Sequence, residues 1–306
     1  MKNQKRAVLL ASFVVLFWAT VATAFKIALA GMPALTLLLI ASITALIVCI
    51  AELAYRGKLR GAIAELKSLS VTKRSLWQGF MNPFVYYLIL FEGYSLLPAQ
   101  IAQPLNFSWQ VVLIILMAVF MKQKIRLMQG LGVMVSFGGI IMLSMNNSAD
   151  ISGSLSVPGL MLIMASTVIW AVYWMLKIDK SSDPVVELFH NFLAGSLFLL
   201  IAFLLFPSPM PQTKPFLAAV YAGIFEMGVT FILWNRALNM AENRVTVTQM
   251  IYLAPLLSFM LIHLILGETI GILTFGGLFL IIGGILLSNT RLKREKEAHR
   301  ILADKK

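Results

Sequence analysis

Glu226 is an acid inside a long apolar stretch, and Thr230 and Trp234 follow it four and eight residues on. At helical spacing those three put a carboxylate, a hydroxyl and an indole on one face. Asn82 with Tyr86, and Asn106 with Trp109 and Gln110, repeat the pairing of amide and aromatic ring in two other apolar stretches, and Trp18, Trp170 and Tyr252 lie in three more. Stacked rings contribute about 0.5–1.5 kcal/mol per pair beyond area burial. A carboxylate pairs with an ammonium, and amides can hold both ends of a zwitterion. These ten residues (Trp18, Asn82, Tyr86, Asn106, Trp109, Gln110, Trp170, Glu226, Thr230 and Tyr252) therefore make a candidate cavity with aromatic walls and a few polar groups. Carboxylates are costly at membrane depth, which argues that Glu226 is kept for function. Trp77, near a helix start, is read instead as an interfacial belt residue.

Bond-making chemistry is poorly represented. There is no GxxxxGK[ST] phosphate cradle, no GxSxG elbow and no HExxH pair. His263 and Glu268 give an HxxxxE spacing that matches no catalytic pattern closely. One cysteine, Cys49, excludes an internal disulfide framework and a cysteine metal cluster. The expectation is a protein that is not an enzyme, with no cofactor and no metal.

The elements that must position these residues follow from composition. The chain has 306 residues, 59% hydrophobic and 12% charged, with a mean hydropathy of +0.87. A soluble domain carries about 25% charged residues. Ten apolar stretches approach the ~20 residues a spanning helix needs: 7–30, 33–55, 75–97, 98–121, 127–145, 157–177, 184–206, 216–240, 245–266 and 270–289. Pro33, Pro98, Pro158, Pro184 and Pro215 stand at or beside their starts, where a missing N–H costs nothing. Pro83, Pro104 and Pro255 fall inside the third, fourth and ninth stretches, where kinks are expected. The segment 56–74 reads as an amphipathic surface stretch.

With the N-terminus inside, 23 of the 25 Lys and Arg fall on the inner side and only Lys26 and Lys214 on the outer. The positive-inside rule then places both termini in the cytoplasm of a cell whose inner membrane holds the chain. The net charge of +12 is thereby topological. No nucleic-acid partner is implied, and the bilayer is the expected surround.

The chain also resembles itself. Trp18-Ala19 with Lys26 is echoed by Trp170-Ala171 with Lys177, and "GVMVSFGGI" (132–140) aligns with "GLFLIIGGI" (277–285) at a constant offset of 145. Gly132, Gly138 and Gly139 thus fall on Gly277, Gly283 and Gly284, and glycines seven apart share a helix face where backbones approach closely. Although Ala22-Thr23-Ala24 has the small-x-small spacing of a signal-peptidase site, cleavage there would unpair the repeat, and export signals have apolar cores of only about 7–15 residues. The fold class expected is all-α integral membrane: ten transmembrane helices as two inverted five-helix repeats, 7–145 and 157–289, with a basic tail at 290–306.

In the Trp-plus-Lys first helix of each half, in Gly267-Glu268 before the last helix, and in the glycine-rich fifth and tenth helices, the chain resembles the drug/metabolite transporter superfamily, ten-helix EamA type. It departs from that pattern at Lys122-Gln123, where the second half has Gly267-Glu268. Within the superfamily it most resembles bacterial exporters of aromatic amino acids. The resemblance implies a secondary transporter working by alternating access at a midplane cavity. Its cargo would be small amphiphilic metabolites, aromatic amino acids first among them, with protons as the candidate coupling ion. A broad-specificity multidrug or metabolite exporter is the alternative, and a membrane enzyme or lipid-handling scaffold a second. Oligomeric state is left open by the sequence.

Overall fold

The computed structural model describes residues 3–120, 127–144, 156–176, 183–242, 247 and 250–288. Lys122-Gln123, Lys177, the 290–306 tail and the side chain of Tyr252 lie outside the described residues. What is described is all-α and largely helical. Helices α1 (Gln4–Leu29) and α2 (Ala34–Tyr55) are followed by a short α3 (Leu59–Glu65). Next come α4 (Leu69–Gly79) and α5 (Tyr86–Leu96), joined by a π-helical segment, Phe80–Val85. Helices α6 (Ala99–Phe107) and α7 (Trp109–Phe120) meet at Ser108, and α8 is Leu127–Ser144.

Helix α9 (Val157–Met175) and α10 (Pro184–Leu205) come next. Helices α11 (Thr213–Ala222) and α12 (Val229–Met240) are joined by a second π segment, Gly223–Gly228. A 3₁₀ turn, Met250–Tyr252, leads into α13 (Leu253–Leu261), which ends in a third π segment, Ile262–Leu266. Helix α14 spans Ile272–Ser288.

Local chemistry sets the ends. The Asn3 side chain accepts from Arg6 N (3.0 Å) to start α1. Ser156 accepts from Gly159 N ahead of Pro158, and Asp183 from Val185 N ahead of Pro184. These are N-caps with proline in the first turn. Gly57 (φ 66°) follows α2 and Gly267 (φ 70°) ends the third π segment, both in the left-handed conformation that glycine takes without steric cost.

Six helices among the described residues are long and apolar enough to cross a bilayer: Gln4–Leu29, Ala34–Tyr55, Ala99–Phe120, Val157–Met175, Pro184–Leu205 and Thr213–Met240. Three shorter apolar helices (Leu127–Met142, Leu253–Leu266, Ile272–Leu287) and the bent run Leu69–Leu96 occupy the remaining stretches. The chain is thus a multi-pass membrane protein.

Two expectations are corrected. The 56–74 stretch is not one surface segment: α3 covers part of it, and α4 begins at Leu69 and runs on through the third apolar stretch. The middle of α3 is tied to α10, since His190 Nε2 lies 2.8 Å from Ala62 O. Pro255 does not interrupt a helix, because it stands in the first turn of α13, where no N–H is needed. Pro83, by contrast, sits at a real break, with Asn82 at φ −149°, ψ 116°.

The packing is reciprocal. Helix α1 lies chiefly against α11, α12 and α13, while α9 lies chiefly against α5 and α7. Helices α2 and α10 pack on one another, and α8 packs on α14 in the most extensive contact of all. A Cβ on Gly139 would meet Gly277 O at 2.6 Å, and one on Gly284 would meet Gly132 O. Those two contacts interchange under the 145-residue offset. Ser136 Oγ donates to Ile281 O (3.1 Å), and these positions are also 145 apart.

On one side, Arg56 and Lys58 at the α2 end bind Asp183 at the α10 start (2.6 and 2.8 Å). Burial works against the Asp183 charge, but hydrogen bonds from Arg56, Lys58 and Val185 N hold the carboxyl down to about 2. Arg236 pairs with Glu52 nearby, joining α12 to α2.

Candidate functional site

A cavity of about 240 Å³ opens among α1, α5, α6, α7, α9 and α12. Its walls are mostly rings. Trp170 is the hub: it stacks on Tyr86 (centroids 4.4 Å apart, 22° between planes) and on Tyr173 (5.5 Å, 18°). It also meets Trp109 edge-on at 6.3 Å and Phe231 at 6.1 Å. Across the space, Trp18 contacts Trp234 (5.8 Å) and Phe231 (6.2 Å). Helices α1 and α9, each lodged against the far half of the chain, bring Trp18 and Trp170 to the same chamber.

Glu226 supplies the carboxylate. It sits nearly equidistant from the ends of the Thr213–Met240 run, inside the π segment flanked by Gly223 and Gly228. Those glycines admit neighbours closely: a Cβ on Gly223 would meet Ala41 O at 2.5 Å. Single-turn π segments widen a helix by one residue and recur at functional positions. Tyr87 OH donates to Glu226 Oε1 (3.0 Å), while Oε2 is buried without a hydrogen-bond partner. The Trp18 side chain is the next polar neighbour of this carboxylate.

The amides are held in place. Asn106 Oδ1 accepts from Tyr86 OH (3.4 Å), and its Nδ2 donates to Ser166 Oγ (3.3 Å). Gln103 Nε2 donates to Trp18 O (3.5 Å), leaving Gln103 Oε1 buried and unpartnered.

Seven of the ten candidates line this one cavity: Trp18, Tyr86, Asn106, Trp109, Gln110, Trp170 and Glu226. Two do not. Asn82 is 3% exposed at the break before Pro83, outside the lining. Thr230 is fully buried, and its hydroxyl donates to Phe225 O within its own helix. That bond caps the carbonyl the π segment frees, so the hydroxyl is committed to the backbone. The side chain of Tyr252 lies outside the described residues. Trp77 is 58% exposed, as a belt residue would be.

Sequence reasoning missed Gln103, Tyr94, Phe25 and Trp174, which also line the cavity. Trp174 follows Trp170 by four residues, and Gln103 precedes Asn106 by three, so helical spacing from residues already chosen was the available signal. No group of His, Cys, Asp and Glu able to hold a metal occurs among the described residues.

Comparison with known proteins agrees with this architecture. A model of the EamA-like transporter family matches residues 5–145 and, separately, 157–290. The uncharacterized transporter YvbV of Bacillus subtilis is 26% identical over 303 residues, covering 96% of this chain and 94% of that protein. The aromatic amino acid exporter YddG of Ancylobacter novellus is 24% identical over 186 residues, 60% of this chain and 64% of that one. A solved crystal structure with 22% identity covers 94% of this chain and 97% of its own at a TM-score of 0.64, a likeness of fold.

Proposed function

Since the chain belongs to the EamA-like transporter family, we propose that the ring-walled cavity is its transport site and that it exports small amphiphilic metabolites across the cytoplasmic membrane. That family membership makes it a transporter of small molecules rather than an enzyme or a lipid-handling scaffold. The observation that carries the site is Glu226: an acid halfway along a long apolar helix, facing a cavity otherwise lined by rings, aliphatic side chains and amides. Sites of secondary transporters lie near the midplane, where irregular helix is tolerated because it borders a cavity.

Alternating access is the proposed mechanism. The reciprocal packing of α1 and α9, the interchanging glycine contacts and the two separate family matches support ten spans in two inverted halves, 7–145 and 157–289. The excess of Lys and Arg on one side supports cytoplasmic termini. The break at Asn82 and the π segment at Glu226 are the proposed points of bending. Protons are the coupling ion that a midplane carboxyl would exchange.

A broad range of amphiphilic cargo is the main reading. Aromatic amino acids are a narrower second one, favoured by the Tyr86–Trp170 stack in the wall, backed by Tyr173, and by partial likeness to a protein named for exporting them. Purified protein in proteoliposomes, loaded with a panel of radiolabelled aromatic and aliphatic solutes and assayed with and without a proton gradient, tests both. Trp170→Ala should abolish whatever flux is seen; flux that survives that change would move the transport site elsewhere.

A further inference from the structure

The cavity's polar inventory is lopsided, and that bears on which amphiphiles it takes. Glu226 is the sole Asp, Glu, Lys, Arg or His in its lining among the described residues. Lys26 shares α1 with Trp18 but reaches the end of α5, donating to Tyr94 O and Leu97 O (3.1 Å each), and is not part of the lining. Two buried acceptors in the wall lack a hydrogen-bond partner: Glu226 Oε2, beside which the neutral Trp18 side chain is the next polar neighbour, and Gln103 Oε1. The Gln103 orientation is set by the Trp18 carbonyl, which can only accept, so Nε2 must face it and Oε1 is left over. Asn106 is already used at both ends. Trp174 Nε1 is an unpartnered donor, but a neutral one.

Buried acceptors without donors are costly and mark where a ligand's donors go. An ammonium brings up to three N–H donors and a positive charge. The rings of Trp18, Trp170 and Tyr86 present the faces that attract such a cation. A carboxylate brought into the same space would meet Glu226 with no cation in the described wall to offset it.

Resting on the reading of this cavity as the transport site, we propose that it selects small aromatic or apolar amines carrying a net positive charge over zwitterionic amino acids and over organic acids. Glu226 Oε2 and Gln103 Oε1 accept from the ammonium, and the Tyr86–Trp170 stack holds the apolar part. The volume of about 240 Å³ limits the cargo to small amines, below the ~300–1,000 Å³ typical of drug-sized sites.

Matched ligands test this without altering the protein. Phenethylamine, phenylalanine and 3-phenylpropionate share a ring and differ in ionic groups, as do tryptamine and tryptophan. Titration calorimetry on the purified full chain in nanodiscs should show each amine binding at least tenfold tighter than its amino acid, with 3-phenylpropionate weakest. Glu226→Gln should reduce the gap to less than threefold, and Gln103→Leu should narrow it.

Phenylalanine binding as tightly as phenethylamine to the unaltered chain would overturn the proposal, whatever the variants do. If Trp170→Ala still abolished that binding, the cavity would remain the transport site and only the charge selection would fall. If Trp170→Ala left all binding unchanged, both readings would fall together.

Discussion

Lys26 and Glu268 grip opposite sides of one turn. Lys26 Nζ donates to Tyr94 O and Leu97 O at the end of α5, and the Glu268 carboxylate accepts from Ala99 N (3.0 Å) and Gln100 N (3.1 Å) at the start of α6. Each charge matches the helix end it touches, a cation at the carbonyls and an anion at the amides. Charge-assisted hydrogen bonds contribute about 1.5–3 kcal/mol. Glu268→Ala and Lys26→Met should therefore each lower stability by about 1–3 kcal/mol, read as a drop in the thermal midpoint in detergent. A double-mutant cycle should give non-additive losses, because both act on the same turn.

The α8–α14 seam gives a contrast within adjacent residues. A methyl at Gly139 or Gly284 would run into the partner helix backbone, whereas nothing lies within 4 Å of one at Gly138 or Gly283. Gly139→Ala and Gly284→Ala should cost about 1–3 kcal/mol through overpacking. Gly138→Ala and Gly283→Ala should be neutral or stabilising by up to ~1 kcal/mol, as for any helical glycine. Fluorescence-detected size exclusion after a heat step would rank the four.

Glu226→Gln keeps size and hydrogen bonding and removes the charge. Should the carboxylate bind the cargo's ammonium, this variant transports poorly at every pH. Should it carry protons instead, gradient-driven flux fails while exchange at equal pH survives. Wild-type flux and pH dependence would remove Glu226 from both roles. The unpartnered Oε2 favours the binding outcome.

Trp109→Ala and Tyr86→Ala should each reduce flux at least tenfold without lowering membrane abundance, since each removes a ring that contacts Trp170. Trp77→Ala is the control: a residue 58% exposed should change flux less than twofold.

Asp183 predicts an acid limit. Its carboxyl sits at about 2, below the ordinary ~3.9, so its stabilising pairs are fully present above about pH 4. Their contribution fades as pH falls through the folded value. Asp183→Asn should cost about 1–2 kcal/mol at pH 7 through the lost ion pairs and weakened cap, and should flatten the loss of thermal midpoint between pH 4 and 2.

How much of this was legible in the sequence follows from what leaves a mark there. Spanning stretches, prolines at starts and the offset of 145 are patterns of residue type, and the long α-helices lie within those stretches, while α3 and the start of α4 fall outside them. Seven candidates found by depth and spacing share one cavity because polar and aromatic residues inside apolar runs are few. Thr230 stands outside the lining for a geometric reason. Regular helical spacing sets it on the Glu226 face, but the π segment adds a residue to the turn, and its hydroxyl caps Phe225 O instead. Asn82 stands outside it because it has left helical φ/ψ altogether, just before Pro83. A change of hydrogen-bond pattern inside an apolar run has no distinct composition, so neither departure was visible.

The π segment at Gly223–Gly228 has one further consequence, for angular phase. Each residue of an α-helix turns the chain by roughly 100°. The extra residue therefore sets the azimuth of everything in α12 relative to α11, and Trp234 faces Trp18 only because of it. Removing one residue between Gly223 and Gly228 would leave every side chain of α12 chemically intact and swing the whole set around the helix axis. Phe231 and Trp234 would leave the cavity together, and Arg236 would lose Glu52 in the same rotation. The aromatic wall on this helix is thus encoded less by which residues it contains than by a count.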